Sequence, residues 1–259
     1  SRMDTINVAT TLAGIYDCIV VSPTMAVRYE SQSGLKVKLD LRTAIPASAT
    51  SKLDIYNWLY ENYHPGNTKG NPSYNPRLVV GLNPGNDAGA IGDNGHVAAR
   101  DVATAMKAPV IWLDPGRTGL ADDKLDENER KERELLKKFT PQNLDFDKAD
   151  STGNAYFMGW WPSEERGIRW ATEQGWPTVP SDNFENYSVY SGLSKEVNPP
   201  ETPEKPELEN KIYVSVIVSD GDNIAYSEHA MRTGRLWGDR NRGQVPITWT
   251  ITPALLDAA

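Results

Sequence analysis

Two aspartates separated by one glycine, in Ser219-Asp220-Gly221-Asp222-Asn223, are the residues of this sequence best suited to chemistry. They follow Ile212-Tyr213-Val214-Ser215-Val216-Ile217-Val218, an apolar run that reads as a buried strand. Gly221 permits the backbone to reverse, so both carboxylates can face one small volume. Held that way, their mutual repulsion raises one pKa and sets a general acid beside a base. The same hard oxygens also suit a divalent cation, with Asp220 and Asp222 as its ligands. A purely structural reading stands beside these: Asp220 and Asn223 form an Asx-turn and cap a helix beginning near Ile224. An EF-hand is excluded, because the residues after Asn223 lack its glycine and glutamate spacing.

A second group is Gly159-Trp160-Trp161-Pro162-Ser163-Glu164-Glu165, again just after a short apolar run. Trp160, Trp161, Trp170 and Trp176 place four of the eight tryptophans close together, which concentrates flat apolar surface in one segment. Indole faces suit the C–H surfaces of sugar rings, and the carboxylates of Glu164 and Glu165 accept hydroxyl hydrogen bonds. With Glu164 and Glu165 beside it the segment as a whole reads as a ligand wall, although any single one of these indoles reads better as core. Asp182 and Asn183, in a polar loop, are weaker candidates for the same ligand. Asp40 and Asp114 end predicted strands, a position that suits either a site or a helix cap. The Gly- and Asn-rich stretch 81–95 is not a phosphate-binding loop, since no Gly-Lys-Ser/Thr follows it.

Composition narrows the partners. A formal net charge of −8 with no clustered basic stripe opposes a nucleic-acid role. No apolar run approaches the roughly 20 residues that span a bilayer. Cys18 is the lone cysteine and His64, His96 and His229 are scattered, which rules out cysteine metal sites and zinc signatures. No cofactor is required by these residues, and a divalent cation at Asp220 and Asp222 is the one option they leave open. The oligomeric state is not encoded in any motif. Ser1-Arg2-Met3-Asp4 lacks the basic head and apolar core of a leader peptide.

The elements that must position these groups alternate. Helical spacing marks 4–12, 25–30, 52–63, 100–107, 126–139 and 163–174; apolar or alternating runs mark strands at 18–21, 35–41, 78–82, 109–113, 155–159 and 212–218. Strand and helix in turn predict an α/β fold: a mostly parallel sheet, or a barrel-like variant of one, covered by helices. Pro199, Pro200, Pro203 and Pro206 lie among Glu and Lys in 194–210, which reads as an extended linker. The expected organisation is thus an N-terminal α/β region over 1–193, a linker over 194–210, and the opening of a second α/β domain over 211–259. Those last residues are too few for an independent core, so the second domain is expected to be incomplete.

Several segments occur together and in order: Ala9-Thr10-Thr11-Leu12-Ala13-Gly14-Ile15, Asp40-Leu41-Arg42, Gly159-Trp160-Trp161-Pro162-Ser163-Glu164, Asp182-Asn183 and Val218-Ser219-Asp220-Gly221-Asp222-Asn223. Arg242-Gly243-Gln244-Val245-Pro246-Ile247 and Trp249-Thr250-Ile251-Thr252-Pro253-Ala254-Leu255 follow. In this the chain resembles the GxGYxYP family of inferred glycoside hydrolases, large secreted bacterial proteins. The Gly-x-Gly-Tyr-x-Tyr-Pro motif itself is absent; the resemblance places it downstream of Ala259. It implies a carbohydrate ligand, a polysaccharide or oligosaccharide, and a secreted, cell-surface or periplasmic location. Asp220 and Asp222 would then stand at the catalytic centre, Asn223 would bind a hydroxyl, and Trp160, Trp161 and Glu164 would line sugar subsites. Glycoside hydrolysis needs carboxyl groups about 5–9 Å apart. Asp220 and Asp222 are too near in sequence to be that pair, so Glu164 or a residue beyond Ala259 is expected to complete it. The rival expectations are a non-catalytic carbohydrate-binding scaffold and a metal-dependent, deacetylase-like hydrolase of decorated glycans.

Overall fold

The structure is a computed structural model that describes residues 2–84, 100–117, 121, 124–140, 155–181, 201, 204, 205, 207–219, 221, 227, 231 and 236–251. The chain divides into two compact units, Ser1–Tyr187 and Ser188–Ala259. The first unit begins with a short 3-10 turn and then α1 (Thr5–Tyr16), α2 (Pro23–Ser33), α3 (Leu41–Ala44) and α4 (Lys52–Tyr63). Strands and helices then alternate: β1 (Leu78–Gly81), α5 (Arg100–Ala105), β2 (Val110–Ile111), α6 (Glu127–Lys137), β3 (Tyr156–Gly159), α7 (Glu164–Glu173) and β4 (Thr178–Pro180). The second unit contributes β5 (Ile217–Val218) and β6 (Thr248–Trp249).

The four strands of the first unit form one parallel sheet in the order β2-β1-β3-β4, which makes the fold α/β. The strand between its neighbours, β1, is buried at every position, as a parallel strand covered on both faces must be. Helix α1 packs on β2 and α5, and α4 packs on α1 and α6. Their apolar sides merge with the sheet into one core that includes Val8, Leu12, Ile55, Leu59, Val79, Ile111, Leu136, Phe157 and Trp161.

Helix α1 also buries polar groups, and each is satisfied. Asn7 donates through Nδ2 to Tyr56 Oη and to the carbonyl of Leu82, both at 2.9 Å. Tyr56 donates to Asp4 (2.7 Å), and Arg100 reaches Asn7 Oδ1 (3.0 Å) and Thr10 (2.8 Å). Thr11 donates to the carbonyl of Asn7 and accepts the N–H of Val110 at the start of β2. This network ties α1 to the sheet at fixed register, because a buried polar atom without its partner costs about 1–3 kcal/mol. Gly14 lets α1 approach α5, where a Cβ would overlap the carbonyl of Thr104.

Local sequence explains the helix ends. Ser51 and Asp54 close a reciprocal capping box at α4, and Asp126 and Glu129 do the same at α6. Arg133 turns inward from α6 and donates to the carbonyls of Pro115 and Arg117, both at 2.6 Å, fastening the chain that leaves β2.

Three expectations are corrected. Residues 18–21 are apolar enough for a strand, yet they have no strand partner and Ile19, Val20 and Val21 are exposed at 59%, 50% and 37%. Residues 35–41 alternate with period two, yet 35–40 are likewise without a strand partner and Leu41 opens α3, with Asp40 as its N-cap. In the second unit Ile212, Tyr213 and Val214 are exposed at 92%, 52% and 83%, and pairing begins only at Ile217, so 212–218 is not a buried strand. In each case an apolar run satisfies strand propensity, but a strand also needs a neighbour to take its N–H and C=O groups. Among the described residues no helix is long and apolar enough to cross a membrane.

His64, just past α4, is buried between Tyr60, Tyr74 and Phe139, and its Nδ1 accepts the N–H of Gly66 at 3.0 Å. Burial disfavours the cation and lowers its pKa from 6.5 to about 4. An unfolded histidine therefore takes up a proton first as pH falls. The stability contributed by neutral His64 is complete above pH 6.5 and is lost as pH drops toward 4, by on the order of 1–3 kcal/mol. Urea midpoints for wild type and His64→Asn at pH 7.5 and 4.5 check this. The wild type should lose more stability on acidification than the variant, and equal losses would refute the assignment.

Candidate functional site

In parallel sheets the loops that carry chemistry leave the carboxyl ends of the strands. The second unit shows that arrangement in its smallest form. Strands β5 and β6 are parallel, with Ile217 beside Thr248 and Val218 beside Trp249. The chain leaves β5 through Ser219 into the Asp220–Asn223 segment, while β6 ends at Trp249 and Thr250 follows it. Asp220, Asp222 and Asn223 lie outside the described residues, but Gly221, between the two aspartates, is described and buried.

Gly221 is held by two hydrogen bonds, one of them to a hydroxyl that is itself fixed. Its N–H donates to Thr250 Oγ1 (3.2 Å), Thr250 Oγ1 donates to the carbonyl of Val218 (2.9 Å), and Ser227 Oγ donates to the carbonyl of Gly221 (3.3 Å). The N–H of Thr250 also donates to Val218 (3.1 Å), so the carbonyl that ends β5 receives both the amide and the hydroxyl of one residue. A Cβ at position 221 would overlap the carbonyl oxygen of Thr250, which explains the glycine on packing grounds. The acidic segment thus starts from a fixed point at the carboxyl end of a parallel pair. Thr250 and Ser227 were not singled out by sequence reasoning. The alternation Ile247-Thr248-Trp249-Thr250-Ile251 is the signal that marks β6 and puts Thr250 opposite the end of β5.

In the first unit the sheet reverses its direction of winding at β1 and β3. From β1 the chain moves to β2 on one side; it then returns to β3 on the other. The gap between the carboxyl ends of these two neighbouring strands is the topological switch point of the sheet. Trp160 stands there, half-buried, with its N–H donating to the carbonyl of Gly81 (3.0 Å). Trp161 does not share its role. It is 1% exposed, stacks on Phe157 with ring centroids 3.7 Å apart, and donates through Nε1 to Thr178 (3.1 Å). Trp170 and Trp176 meet it edge-on in the same core. Gly167 leaves the room this indole needs, since a Cβ there would overlap its Cβ and Cγ.

Glu164 and Glu165 are exposed in the first turn of α7, where carboxylates favour the positive end of a helix dipole. Asp182 and Asn183 lie outside the described residues. Asp40 accepts hydrogen bonds from the N–H and guanidinium of Arg42, which together hold its carboxyl down at about 2. Asp114 accepts the N–H of Gly116 in an Asx-turn (2.8 Å). Both residues thus have a local structural role.

A cleft of about 440 Å³ lies beside the carboxyl end of β2, lined by Asp114, Asp126, Glu127, Asn128, Glu129, Glu132 and Arg166. Its carboxylates are engaged: Asp126 caps α6, Glu129 pairs with Arg117, and Glu132 binds Lys52 (2.6 Å) and the N–H of Asp114 (2.8 Å). Among the described residues no group of three or more His, Cys, Asp or Glu side chains is placed to hold a metal ion.

Comparison with protein families resolves the chain into three matches. Residues 1–67 match the GxGYxYP_N second domain, residues 87–192 the GxGYxYP third domain, and residues 210–259 the domain described as "GxGYxYP putative glycoside hydrolase C-terminal domain". The chain belongs to the GxGYxYP family. Neither the curated proteins nor the solved structures provide a match. Within this GxGYxYP chain the acidic segment and β6 fall inside the C-terminal domain match, whereas Trp160 and Glu164 fall inside the third-domain match.

If backbone contact with Thr250 fixes Gly221, adding one methyl group must displace the turn or separate β5 from β6. Gly221→Ala is expected to destabilise the second unit by about 1–3 kcal/mol, read from urea denaturation of the full-length protein. A midpoint equal to wild type would contradict the contact.

Proposed function

We propose that this GxGYxYP chain contributes to a glycoside hydrolase acting on a polysaccharide or oligosaccharide, with Asp220 and Asp222 at the reactive centre and Asn223 on a substrate hydroxyl. The observation that carries this reading is the anchoring of Gly221 at the carboxyl end of the parallel β5–β6 pair, within the domain whose family description names glycoside hydrolysis. A carboxylic acid in that position protonates the departing glycosidic oxygen. A carboxylate attacks the anomeric carbon or draws a proton from water. Carboxyl groups brought close together take unequal pKa values, because two adjacent negative charges repel. The second carboxyl group that spans the scissile bond comes from outside the Asp220–Asn223 segment, and Glu164 is one candidate for it.

The family resemblance also supports a secreted, cell-surface or periplasmic setting, where polysaccharides are met. No divalent cation is needed for this chemistry.

Asp220→Asn and Asp222→Asn in the full-length protein test the proposal, with glycan turnover and glycan binding measured separately. Loss of a group that transfers a proton in the transition state should lower turnover by about 10²–10⁴-fold, while binding is largely retained. Full turnover in both variants would remove the catalytic role. Binding without turnover in the wild type would identify a carbohydrate-binding scaffold instead.

A further inference from the structure

Between α1 and α3 the chain turns its apolar side chains outward. Ile19, Val20 and Val21 are exposed before α2, and Leu35, Val37 and Leu39 are exposed after it. Both runs lie at the carboxyl end of α1: the N–H of Cys18 donates to the carbonyl of Ala13, and the Lys38 ammonium lies 5.6 Å from the centre of the Tyr16 ring. Glu30 Oε1 accepts the N–H of Val37 (3.3 Å), which ties the second run to α2. The helix between them is capped by Ser22 at its start and by Gly34, in the left-handed region, at its end, yet none of its residues is buried. A helix of 11 residues is marginal in water on its own, because most helical stability in proteins comes from a packed face. The backbone is open as well. Among the described residues, nothing accepts the N–H groups of Ile19, Val20, Val21, Leu35 or Lys36. Unpaired amides beside exposed branched side chains are what an added strand requires: the main chain pairs, and the side chains find cover.

We propose that residues 18–39 form an interdomain docking surface whose occupant is the first N-terminal domain of the full-length protein. That domain lays an extended apolar segment along 18–21 or 35–39 and covers α2. Residues 1–67 match a domain numbered second among the N-terminal domains of the GxGYxYP family, so the family's own numbering supplies the neighbour. A surface as apolar as this suits a permanent partner rather than a transient one. A partner on the same polypeptide also binds at the high effective concentration that a linker sets. Charge argues against a second copy in that place. Residues 18–39 carry Arg28, Lys36 and Lys38 against the one carboxylate of Glu30, so two copies meeting there would bring like charges together.

Amide hydrogen exchange on the full-length protein, followed by mass spectrometry, is the test. In the wild type the amides of 19–21, 35 and 36 should exchange slowly, and solvent-like exchange at both runs would overturn the proposal. Val20→Lys and Val37→Lys, combined in one chain, then place charge on the surface. Both side chains are already half exposed, so the core of the first unit is spared. The double variant should lose protection at 18–39 and, with it, at a segment of the first N-terminal domain, while β1 stays as slow as in wild type. Unchanged protection at 18–39, or a matching loss only in some other domain, would overturn the proposal. So would protection that falls on dilution as a dimer dissociates, which identifies a second copy as the occupant. Should the variant fail to fold, chemical cross-links from Lys36 and Lys38 of the wild type decide. Links to the first N-terminal domain within one molecule support the interface; links confined to other domains or to a second copy overturn it.

Discussion

Gly159 adopts φ +103° because the chain leaving β3 passes directly over the carbonyl of Gly81, where a side chain would overlap that oxygen. The next residue, Trp160, then donates its N–H to the same carbonyl. Gly221 stands in the corresponding relation to Thr250 at the end of β5 and β6. In both units, two parallel strands therefore end in backbone contact too close for a methyl group, and the loop that follows starts from a fixed position. Parallel pairing demands this kind of economy, since every loop that could hold a ligand emerges at the same edge. The rest of the first unit supports that edge. The Asn7 network sets α1 against the sheet, and the Phe157–Trp161 stack holds the start of α7 beneath β3 and β4.

Among the described residues, the carboxylates of the first unit have mostly structural work. Asp54 and Asp126 cap helices, Asp40 pairs with Arg42, and Glu129 and Glu132 tie α6 to Arg117, Lys52 and the chain after β2. Caps and ion pairs of this sort hold loops in register while contributing little individually when exposed. They also account for the acidic cleft beside β2, whose lining residues are bound to one another and to cations. The net charge of −8 of the whole chain is thus compatible with few carboxylates available for chemistry among the described residues of this unit.

How much of this is legible in the sequence depends on the range of the interaction. The helix over 52–63 is readable because its apolar spacing and the Ser51–Asp54 cap are local. Strands β1, β2 and β3 are readable because buried parallel strands appear as short apolar runs. Strand β4 escapes notice, since Pro177 and Pro180 frame it and proline argues against a strand. Residues 18–21 carry the same apolar signature as β1 yet stay unpaired, because no local pattern encodes the presence of a partner strand. The tryptophan segment divides for a similar reason. Adjacent indoles in Trp160-Trp161 face different surroundings, and only the packing of Phe157, Gly167 and Thr178 assigns Trp161 to the core. The acidic turn is visible by composition alone, whereas the threonine that anchors it lies 29 residues away and emerges only from the pairing of β5 with β6.

The centre of this account is the acidic turn as the place where a glycan is cleaved. Its most direct test is a crystal structure of the full-length protein with a bound, uncleaved oligosaccharide. A sugar ring whose glycosidic oxygen lies within hydrogen-bond distance of Asp220 or Asp222 is the expected result. An oligosaccharide bound well away from both, with the two aspartates turned onto backbone amides, would contradict it.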